Sequence, residues 1–410
     1  MSVAIEQAGR HKKQRGNAMV SDHRHAAHSA PSHVPVTVVD VDVHPAPRVF
    51  SELRDHLPPA WRDRQFPDSV FDAIESPLYV APNKAQRYDA ISPAGGPPCS
   101  DPVFTEKQLF EDAGVDYAIM IPLTVRPVPN PEHEAAMCSA TNHWQSETWL
   151  SKYNSHDRYR GTIRVCSGDP DLAVREIEHW AGHPQFVQIM LNPYMRAPLG
   201  QPQYHKIYEV AAKHGLPICL HVNRSPGMGL LTPVGYASYF IEHHALYPVM
   251  YATHLVSMLT EGVFDRFPDL RVVFVEGGFS WLVPLMWRLE KLCKEFGSEA
   301  VAMRRAPRDY MKEQIRFSTQ PVEEPTRLMD IRHIFEWMDA SSTVMFSTDY
   351  PHWDFDDPKW VLRLLPPEMK ARVLADNALD LYRLPRLRKN LGPSAAQNTR
   401  AANRNEAAVA

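Results

Sequence analysis

Four polar residues stand where apolar runs of the sequence end, and they are of the types that bind a divalent metal ion. Asp42 and His44 are two positions apart in VDVDVHPAP, so an extended strand directs both side chains to the same face. His221 ends the run LPICL, and Asp349 follows TVMFST. Carboxylate and imidazole ligands without a thiolate favour zinc or manganese over a soft metal. The sequence therefore predicts one divalent ion, zinc before manganese, with these four residues as its ligands.

A further carboxyl group, that of Glu276, ends the apolar run RVVFV and is a candidate acid or base. For hydrolysis, a metal-activated water attacks an amide, ester or lactone carbonyl while Asp349 or Glu276 accepts its proton. For decarboxylation, the metal holds a carboxylate and a neighbouring hydroxyl while an acid protonates a ring carbon. Both reactions stay open on these residues alone, and each residue taken singly also has a structural interpretation in a turn or a core.

Four more residues are candidates for the walls of a substrate pocket. The planar guanidinium of Arg87 can pair with a substrate carboxylate. His352 follows Asp349 by three residues, so it can contact the substrate or orient that carboxylate through a hydrogen bond. His254 and Trp281 complete the predicted pocket. The expected partner is a small-molecule substrate, and aromatic residues near Arg87 suggest a flat, apolar or aromatic one.

Short β-branched runs alternate with helical stretches through the middle of the chain, a pattern typical of a parallel sheet. Eight such runs predict a (β/α)₈ TIM barrel, in which catalytic side chains lie at the carboxyl ends of the strands. A doubly wound open sheet is the alternative, but no GxGxxG follows the first run. The predicted strands are residues 36–42, 116–121, 161–166, 185–190, 217–222, 271–276, 314–318 and 343–348.

The barrel is expected to span residues 34–387, with one long insertion after the first strand. Residues 45–107 are rich in Pro, Asp and aromatic residues and exceed a usual connection of about 2–6 residues, so they predict a lid or pocket wall. Residues 1–33 and 388–410 have no periodic apolar face, which predicts disordered tails at both ends.

Composition limits the classes of partner and the cellular location. The 410 residues include 44 Lys and Arg against 48 Asp and Glu, so no basic excess points to nucleic acid or to an anionic membrane. No apolar run is long enough to cross a membrane, and the polar start is not a signal peptide. Five scattered cysteines without a CxxC pair predict a reducing, cytoplasmic location.

Six segments, taken in chain order, carry a resemblance to a known family: RYDAISPAGGPPCSD at 87–101, GLPICLHV at 215–222, GVFDRFPDLRVVFVEGGFSWL at 262–282, STQP at 318–321, FSTDYPHWD at 346–354 and DNALDLY at 376–382. Over about residues 36–385 the chain resembles the amidohydrolase-related (amidohydrolase 2) family, which includes the aminocarboxymuconate semialdehyde decarboxylase-like enzymes. The resemblance implies a metal-dependent enzyme, the same four metal ligands, a role for Asp349 in holding a metal-bound water, and a homodimer.

The sequence departs from that family at two positions. Asp42 stands where the better-known decarboxylases have His or Glu, and Glu276 stands where they have His. An ionised Glu276 repels a substrate carboxylate beside the metal, whereas as a base it takes a proton from metal-bound water. The carboxyl at 276 therefore predicts a metal-dependent hydrolase of the amidohydrolase superfamily. The alternatives are a non-oxidative decarboxylase (carboxy-lyase) of an aromatic or unsaturated carboxylic acid and a non-catalytic metal-binding protein.

Overall fold

The computed structural model describes residues 37–49, 51–62, 85–125, 127–195, 197–223, 239–299 and 301–387. Within these residues eight strands form one sheet in which every neighbouring pair is parallel and the spatial order follows the chain. The strands are β1 (Val39–Val43), β2 (Tyr117–Met120), β3 (Tyr159–Arg164), β4 (Phe186–Leu191), β5 (Ile218–His221), β6 (Val272–Val275), β7 (Ile315–Ser318) and β8 (Val344–Met345).

The first and last strands close this sheet into a barrel. The backbone N–H of Val41 donates to the carbonyl of Phe346 at 3.1 Å, and that of His44 donates to the carbonyl of Tyr350 at 2.8 Å. A parallel bridge between Val43 and Tyr350 continues the pairing. The fold is therefore a (β/α)₈ TIM barrel, which confirms the prediction, and each of the eight observed strands overlaps a predicted one.

Helices connect successive strands, and several begin with an Asp or Asn followed by Pro. The side chains of Asp101, Asn130 and Asp169 accept hydrogen bonds from free backbone N–H groups in the first turns of the helices that they precede, and Pro occupies each of these turns. The α-helices of the described residues are α1 (Ser51–Arg54), α2 (Pro59–Arg62), α3 (Pro102–Glu106), α4 (Pro131–Trp144), α5 (Pro170–Trp180), α6 (His205–His214), α7 (Phe240–Ala245), α8 (Tyr247–Thr260), α9 (Val263–Arg266), α10 (Leu282–Glu295), α11 (Pro307–Gln314), α12 (Leu328–Trp337), α13 (Ala340–Thr343), α14 (Pro358–Leu364) and α15 (Asn377–Tyr382).

Alternate residues of each strand face two different apolar layers. Cys219 of β5 and Val273 of β6 share a cluster with Val41 of β1, although β1 neighbours neither β5 nor β6 in the sheet. The cluster therefore fills the barrel interior. Leu220 and Phe274 instead pack in the larger layer between the sheet and the helices. Because side chains alternate along a strand, His221 shares the interior side with Cys219. The apolar run that ends in His221 thus directs its imidazole into the barrel.

Part of the long insertion after β1 lies against the segment that follows β8. The backbone N–H of Arg87 donates to the carbonyl of Pro351 at 2.9 Å, and that of Trp353 donates to the carbonyl of Ala85 at 3.1 Å. This contact places the insertion beside Asp349, and its role as a lid stays a prediction. Residues 63–84 and both predicted tails lie outside the described residues. None of the described helices combines the length and apolar composition that a membrane span requires.

Candidate metal centre

A change of strand register turns the end of β1 toward the barrel interior. The pairing of β1 with β2 shifts between Asp40 and Val43. Val41 packs in the interior cluster, whereas Val43 packs in the layer outside the sheet. The shift brings Asp42 and the following His44 to the carboxyl end of β5. There, Oδ1 of Asp42 lies 3.2 Å from Nε2 of His44 and 3.2 Å from Nε2 of His221.

Backbone carbonyl groups fix the orientation of both histidine rings. Nδ1 of His44 donates to the carbonyl of Ile121 at 2.9 Å, and Nδ1 of His221 donates to the carbonyl of Val222 at 2.6 Å. Because a carbonyl oxygen only accepts, each Nδ1 carries the proton and each Nε2 presents a lone pair. This is the tautomer in which histidine binds a metal ion through Nε2.

The lone pairs of these histidines lie close to carboxylate oxygens. Because such atoms repel one another, their close approach is stable only with a positive charge between them. Nε2 of His44 lies 2.7 Å from Oδ1 of Asp349. Both carboxylate oxygens of Asp42 and Nε2 of His221 are buried and have no hydrogen-bond partner in the described part of the chain. One donor atom from each of the four residues lies within 4.8 Å of the others. One divalent cation therefore fits between Asp42, His44, His221 and Asp349. It would coordinate the Asp42 oxygens and the His221 nitrogen, which are otherwise buried without a partner.

Burial controls the protonation of the cluster. Burial lowers the pKa of His44 and the pKa of His221 to about 3, so both rings are neutral at neutral pH. It raises the pKa of Asp42 to about 6. Burial and, after it, neighbouring carboxylates raise the pKa of Asp349 well above its usual range. A bound divalent cation opposes these carboxyl shifts because it favours the ionised form.

Glu276 and Asp349 both leave their strands in a left-handed backbone conformation. Their φ angles are 55° and 61°, a region that costs a non-glycine residue about 1–3 kcal/mol and is concentrated at functional sites. This turn brings Oε2 of Glu276 to 3.4 Å from Nε2 of His221. Burial, followed by the charges of Asp42 and Asp354, raises the pKa of Glu276 well above its usual range. These surroundings favour the protonated form of the Glu276 carboxyl more than water does for an exposed glutamate.

A network of side chains, in addition to His44, orients Asp349. Nδ1 of His352 lies 2.7 Å from Oδ1 of Asp349. Nε2 of Gln320 donates to Oδ2 of Asp349 at 3.2 Å and to Oδ2 of Asp354 at 2.9 Å. Asp354 in turn lies 3.1 Å from Nε2 of His244. Gln320 and Asp354 lie in STQP and FSTDYPHWD, the segments that carry the family resemblance, but neither was expected to have a role.

Asp40, also not anticipated, joins the ends of β1 and β8. Its Oδ1 accepts the backbone N–H groups of Asp42 and Thr348 at 3.1 and 3.0 Å, and its Oδ2 accepts the Thr348 hydroxyl at 2.5 Å. One carboxylate therefore fixes the backbone of Asp42 and of the residue before Asp349. The spacing DVDVH contains this signal, because it places a second acidic residue two positions before Asp42.

The predicted substrate residues have different surroundings. His352 lies in the cluster, with its ring centroid 4.7 Å from that of His44. The guanidinium of Arg87 lies 4.2 Å from the Phe355 ring and donates to both carboxylate oxygens of Asp89 at 2.9 and 2.5 Å. A substrate carboxylate must therefore compete with Asp89 for Arg87.

His254 and Trp281 lie outside the cluster and bind backbone atoms. Nε2 of His254 donates to the carbonyl of Pro193 at 2.8 Å, and its Nδ1 accepts the N–H of Leu199 at 3.2 Å. The indole N–H of Trp281 donates to the carbonyls of residues 277 and 278, each at 3.0 Å, which supports the turn after β6. These contacts use the polar groups of both side chains.

Comparison with known proteins agrees with this arrangement. A model of the amidohydrolase family matches residues 39–384. The chain belongs to this family. The match confirms the family resemblance of the sequence and identifies the barrel and its divalent metal site as those of an enzyme rather than of a non-catalytic metal-binding protein.

Relatives within the family are known from sequence and from structure. The gamma-resorcylate decarboxylase of Polaromonas sp. (strain JS666 / ATCC BAA-500) is 24% identical over 244 residues, which cover 56% of this chain and 72% of that protein. An amidohydrolase from Mycobacterium avium subsp. paratuberculosis K-10 shares the fold with a TM-score of 0.62 and 19% identity, over 85% of this chain and 100% of the other. A manganese-bound 5-carboxyvanillate decarboxylase from Novosphingobium aromaticivorans DSM 12444 also has a TM-score of 0.62, with 17% identity over 85% and 97% of the two chains.

The prediction of a hydrolase is wrong, because the family members with a defined reaction in this comparison are decarboxylases. The prediction assumed that Glu276 is ionised and acts as a base. The structure instead buries Glu276 near Asp42 and Asp354, which raises its pKa and favours the protonated form. A protonated carboxyl neither repels a substrate carboxylate nor accepts a proton from water, so the physical argument for hydrolysis fails.

Proposed function

We propose that the protein is a metal-dependent, non-oxidative decarboxylase of a small aromatic carboxylate with a hydroxyl group next to the carboxylate. The observation that carries the proposal is the buried Glu276 carboxyl, which lies 3.4 Å from the His221 ring at the edge of the cluster. A neutral carboxyl beside a metal site is suited to donate a proton to carbon. The activities of the decarboxylases of Polaromonas and Novosphingobium support the same reaction class.

In this proposal Asp42, His44, His221 and Asp349 hold the metal ion. A bound divalent ion supplies Lewis acidity for the carboxylate and hydroxyl oxygens of the substrate. We propose manganese rather than zinc, because carboxylates supply half of the donors and a third carboxyl lies beside them. The manganese bound in the Novosphingobium enzyme supports this choice.

The side chains around the metal site then donate the proton and contact the substrate. Glu276 gives its proton to the ring carbon that carries the carboxylate. The bond from that carbon to the carboxylate breaks, its electron pair returns to the ring, and carbon dioxide leaves. Glu276 is left ionised and regains a proton from water. His352, which is 13% exposed and bonded to Asp349, is placed to contact the substrate ring or its hydroxyl group.

A substrate panel tests this proposal. Protein loaded with manganese is incubated with 2,6-dihydroxybenzoate, 5-carboxyvanillate and benzoate, and carbon dioxide and the aromatic product are measured. We expect release from at least one hydroxylated acid and none from benzoate, which lacks the neighbouring hydroxyl. In D₂O, the product should carry one deuterium at the carbon that lost the carboxylate. Equal release from benzoate, or no release from either hydroxylated acid, would count against this substrate class.

A further inference from the structure

A polar cleft of about 480 Å³ lies at the end of the barrel opposite the metal centre. Its walls come from the amino ends of β5, β6 and β7, from the end of α6 and from the helical segment of residues 372–383. The metal centre, by contrast, lies at the carboxyl ends of β1, β5 and β8. Five cationic side chains line the cleft: Lys213, Arg271, Arg316, Arg372 and Arg383. The two carboxylates of the lining are those of Asp269 and Asp380.

Two of the arginines bind only backbone carbonyl groups. Nη1 of Arg271 donates to the carbonyls of Pro268 and Leu270 at 2.9 and 3.0 Å. Nη1 of Arg316 donates to the carbonyls of Lys312 and Ile315 at 3.1 and 2.8 Å. Neither guanidinium forms an ion pair with a carboxylate among the described residues. These bonds hold each guanidinium in place without pairing its charge directly with a carboxylate.

Arg383 adds a third guanidinium group that forms no ion pair among the described residues. It ends α15 with φ 55°, and its Nη2 would lie 2.8 Å from a Cβ placed on Gly215. Any residue larger than glycine at position 215 would therefore clash with the Arg383 guanidinium. Its guanidinium has no hydrogen bond or ion pair in the part of the chain that the structure describes. Arg372 differs, since it pairs with Asp380 at 2.7 Å.

The cations of the cleft act on one another. Burial, and then the charges of Arg271 and Arg372, lower the pKa of Arg316 to about 10, and Asp380 and Asp339 oppose this shift only in part. A guanidinium is nevertheless charged throughout the physiological range, so it cannot escape the repulsion by losing a proton. A bound anion removes the repulsion and gains charge-assisted hydrogen bonds from several guanidinium groups.

We propose that this cleft is a binding site for a small anion that carries a phosphate group. The planar guanidinium group matches the geometry of a phosphate group and can donate two parallel hydrogen bonds to two of its oxygens. The volume lies within the range of about 300–1,000 Å³ that is usual for small-molecule sites. Asp269 makes no ion pair among the described residues, and its carboxylate can accept a hydrogen bond from a hydroxyl group of the same ligand. Because the cleft and the metal centre are at opposite ends of the barrel, its ligand is not the substrate of the metal centre.

Titration calorimetry on the metal-loaded protein tests the site with inorganic phosphate and with glycerol 3-phosphate. We expect saturable binding that weakens by about tenfold or more in Arg383→Gln and in Arg316→Gln. Arg327→Gln is the matched control, because Arg327 pairs with Asp330 on the exposed start of α12 and should leave the affinity unchanged. Tighter binding of glycerol 3-phosphate supports a phosphate ester as the ligand, and tighter binding of phosphate supports the free ion.

A melting experiment separates this proposal from a purely structural role. Phosphate should raise the melting temperature of the wild type more than that of Arg383→Gln. In buffer without phosphate, Arg383→Gln should melt at or above the wild-type temperature, because the substitution removes a repelling charge. The absence of saturable binding of both probes overturns the proposal. Binding of equal strength by Arg383→Gln and the wild type also overturns it, because phosphate then binds elsewhere, as at the metal centre.

Discussion

At the scale of single residues, the proposed decarboxylation depends on the protonation of Glu276. The side chain is placed by a left-handed backbone turn, and burial raises its pKa and so favours its protonated form. The same carboxyl on an exposed loop would be ionised at neutral pH and would act as a base. The sequence shows the residue type but not its burial among Asp42 and Asp354, and for this reason the predicted reaction was wrong.

Replacement of Glu276 by Gln keeps the size of the side chain and removes the acidic proton. We expect kcat for decarboxylation to fall by about 100-fold or more, while the bound metal stays at the wild-type level. Glu134→Gln serves as the matched control, because Glu134 is also a buried carboxyl with a raised pKa but lies outside the cluster. Turnover and metal content are measured on the same samples. Full activity of Glu276→Gln would show that Glu276 is not the proton donor.

The rate should also depend on pH through this proton. Because burial raises the pKa of Glu276, kcat is expected to hold through neutral pH and to fall on the alkaline side as the proton is lost. The alkaline fall should be absent from the residual activity of Glu276→Gln. A wild-type rate that instead increases steadily with pH would indicate a base, and thus the opposite role for this residue.

At the scale of elements, the site depends on how the ends of β1 and β8 are joined. Asp40 accepts three hydrogen bonds, two from Thr348 and one from the backbone of Asp42. Asp40→Asn replaces one accepting oxygen by an N–H₂ group that faces donors. We expect a loss of about 1–3 kcal/mol in the free energy of unfolding and weaker metal binding. Chemical denaturation and metal titration measure the two effects.

Asp116→Asn is the control for that prediction. Asp116 accepts the backbone N–H of Val38 at 2.9 Å, at the start of β1 and thus at the other end of the barrel. Its substitution is expected to lower stability without a change in metal affinity. If Asp40→Asn and Asp116→Asn lower stability alike and both leave metal affinity unchanged, Asp40 does not position the metal ligands.

The elements were largely predictable, and the contacts between them were not. Apolar runs of limited length predicted the eight strands. Polar residues at the ends of three of these runs indicated the candidate ligands Asp42, His44, His221 and Asp349. Gln320 and Asp354 could not be predicted in the same way, because their roles depend on how the connections after β7 and β8 fold over Asp349. His254 was assigned to the pocket from its residue type, yet both of its ring nitrogens bind the backbone.

At the scale of the whole molecule, metal binding and stability are linked through the buried carboxyl groups. Without metal, Glu276 and Asp349 keep protons in the folded state at a pH where the unfolded chain has lost them, since burial raises both pKa values. The folded state then binds more protons than the unfolded state, so stability falls as pH rises. His44 and His221 oppose this trend only below about pH 6.5, because above it they are neutral in both states.

We therefore expect the melting temperature of the metal-free protein to fall as the pH rises above about 6.5, where the two histidines no longer oppose the trend. Manganese should raise the melting temperature, and by more at the higher pH, because metal binding replaces these protons. Scanning calorimetry with and without metal measures both effects. A metal-induced increase that is the same or smaller at the higher pH would contradict this linkage.

The most direct test of metal-dependent decarboxylation follows carbon dioxide release during titration of the metal-free protein with manganese, using the hydroxylated acid that the substrate panel identifies. Activity should rise in proportion to bound metal and level off at one ion per chain. His221→Ala should bind no metal at these concentrations and release no carbon dioxide, because it removes an Nε2 ligand fixed by the Val222 carbonyl. Full activity in the metal-free protein, or carbon dioxide release by His221→Ala at the wild-type rate, would contradict the account.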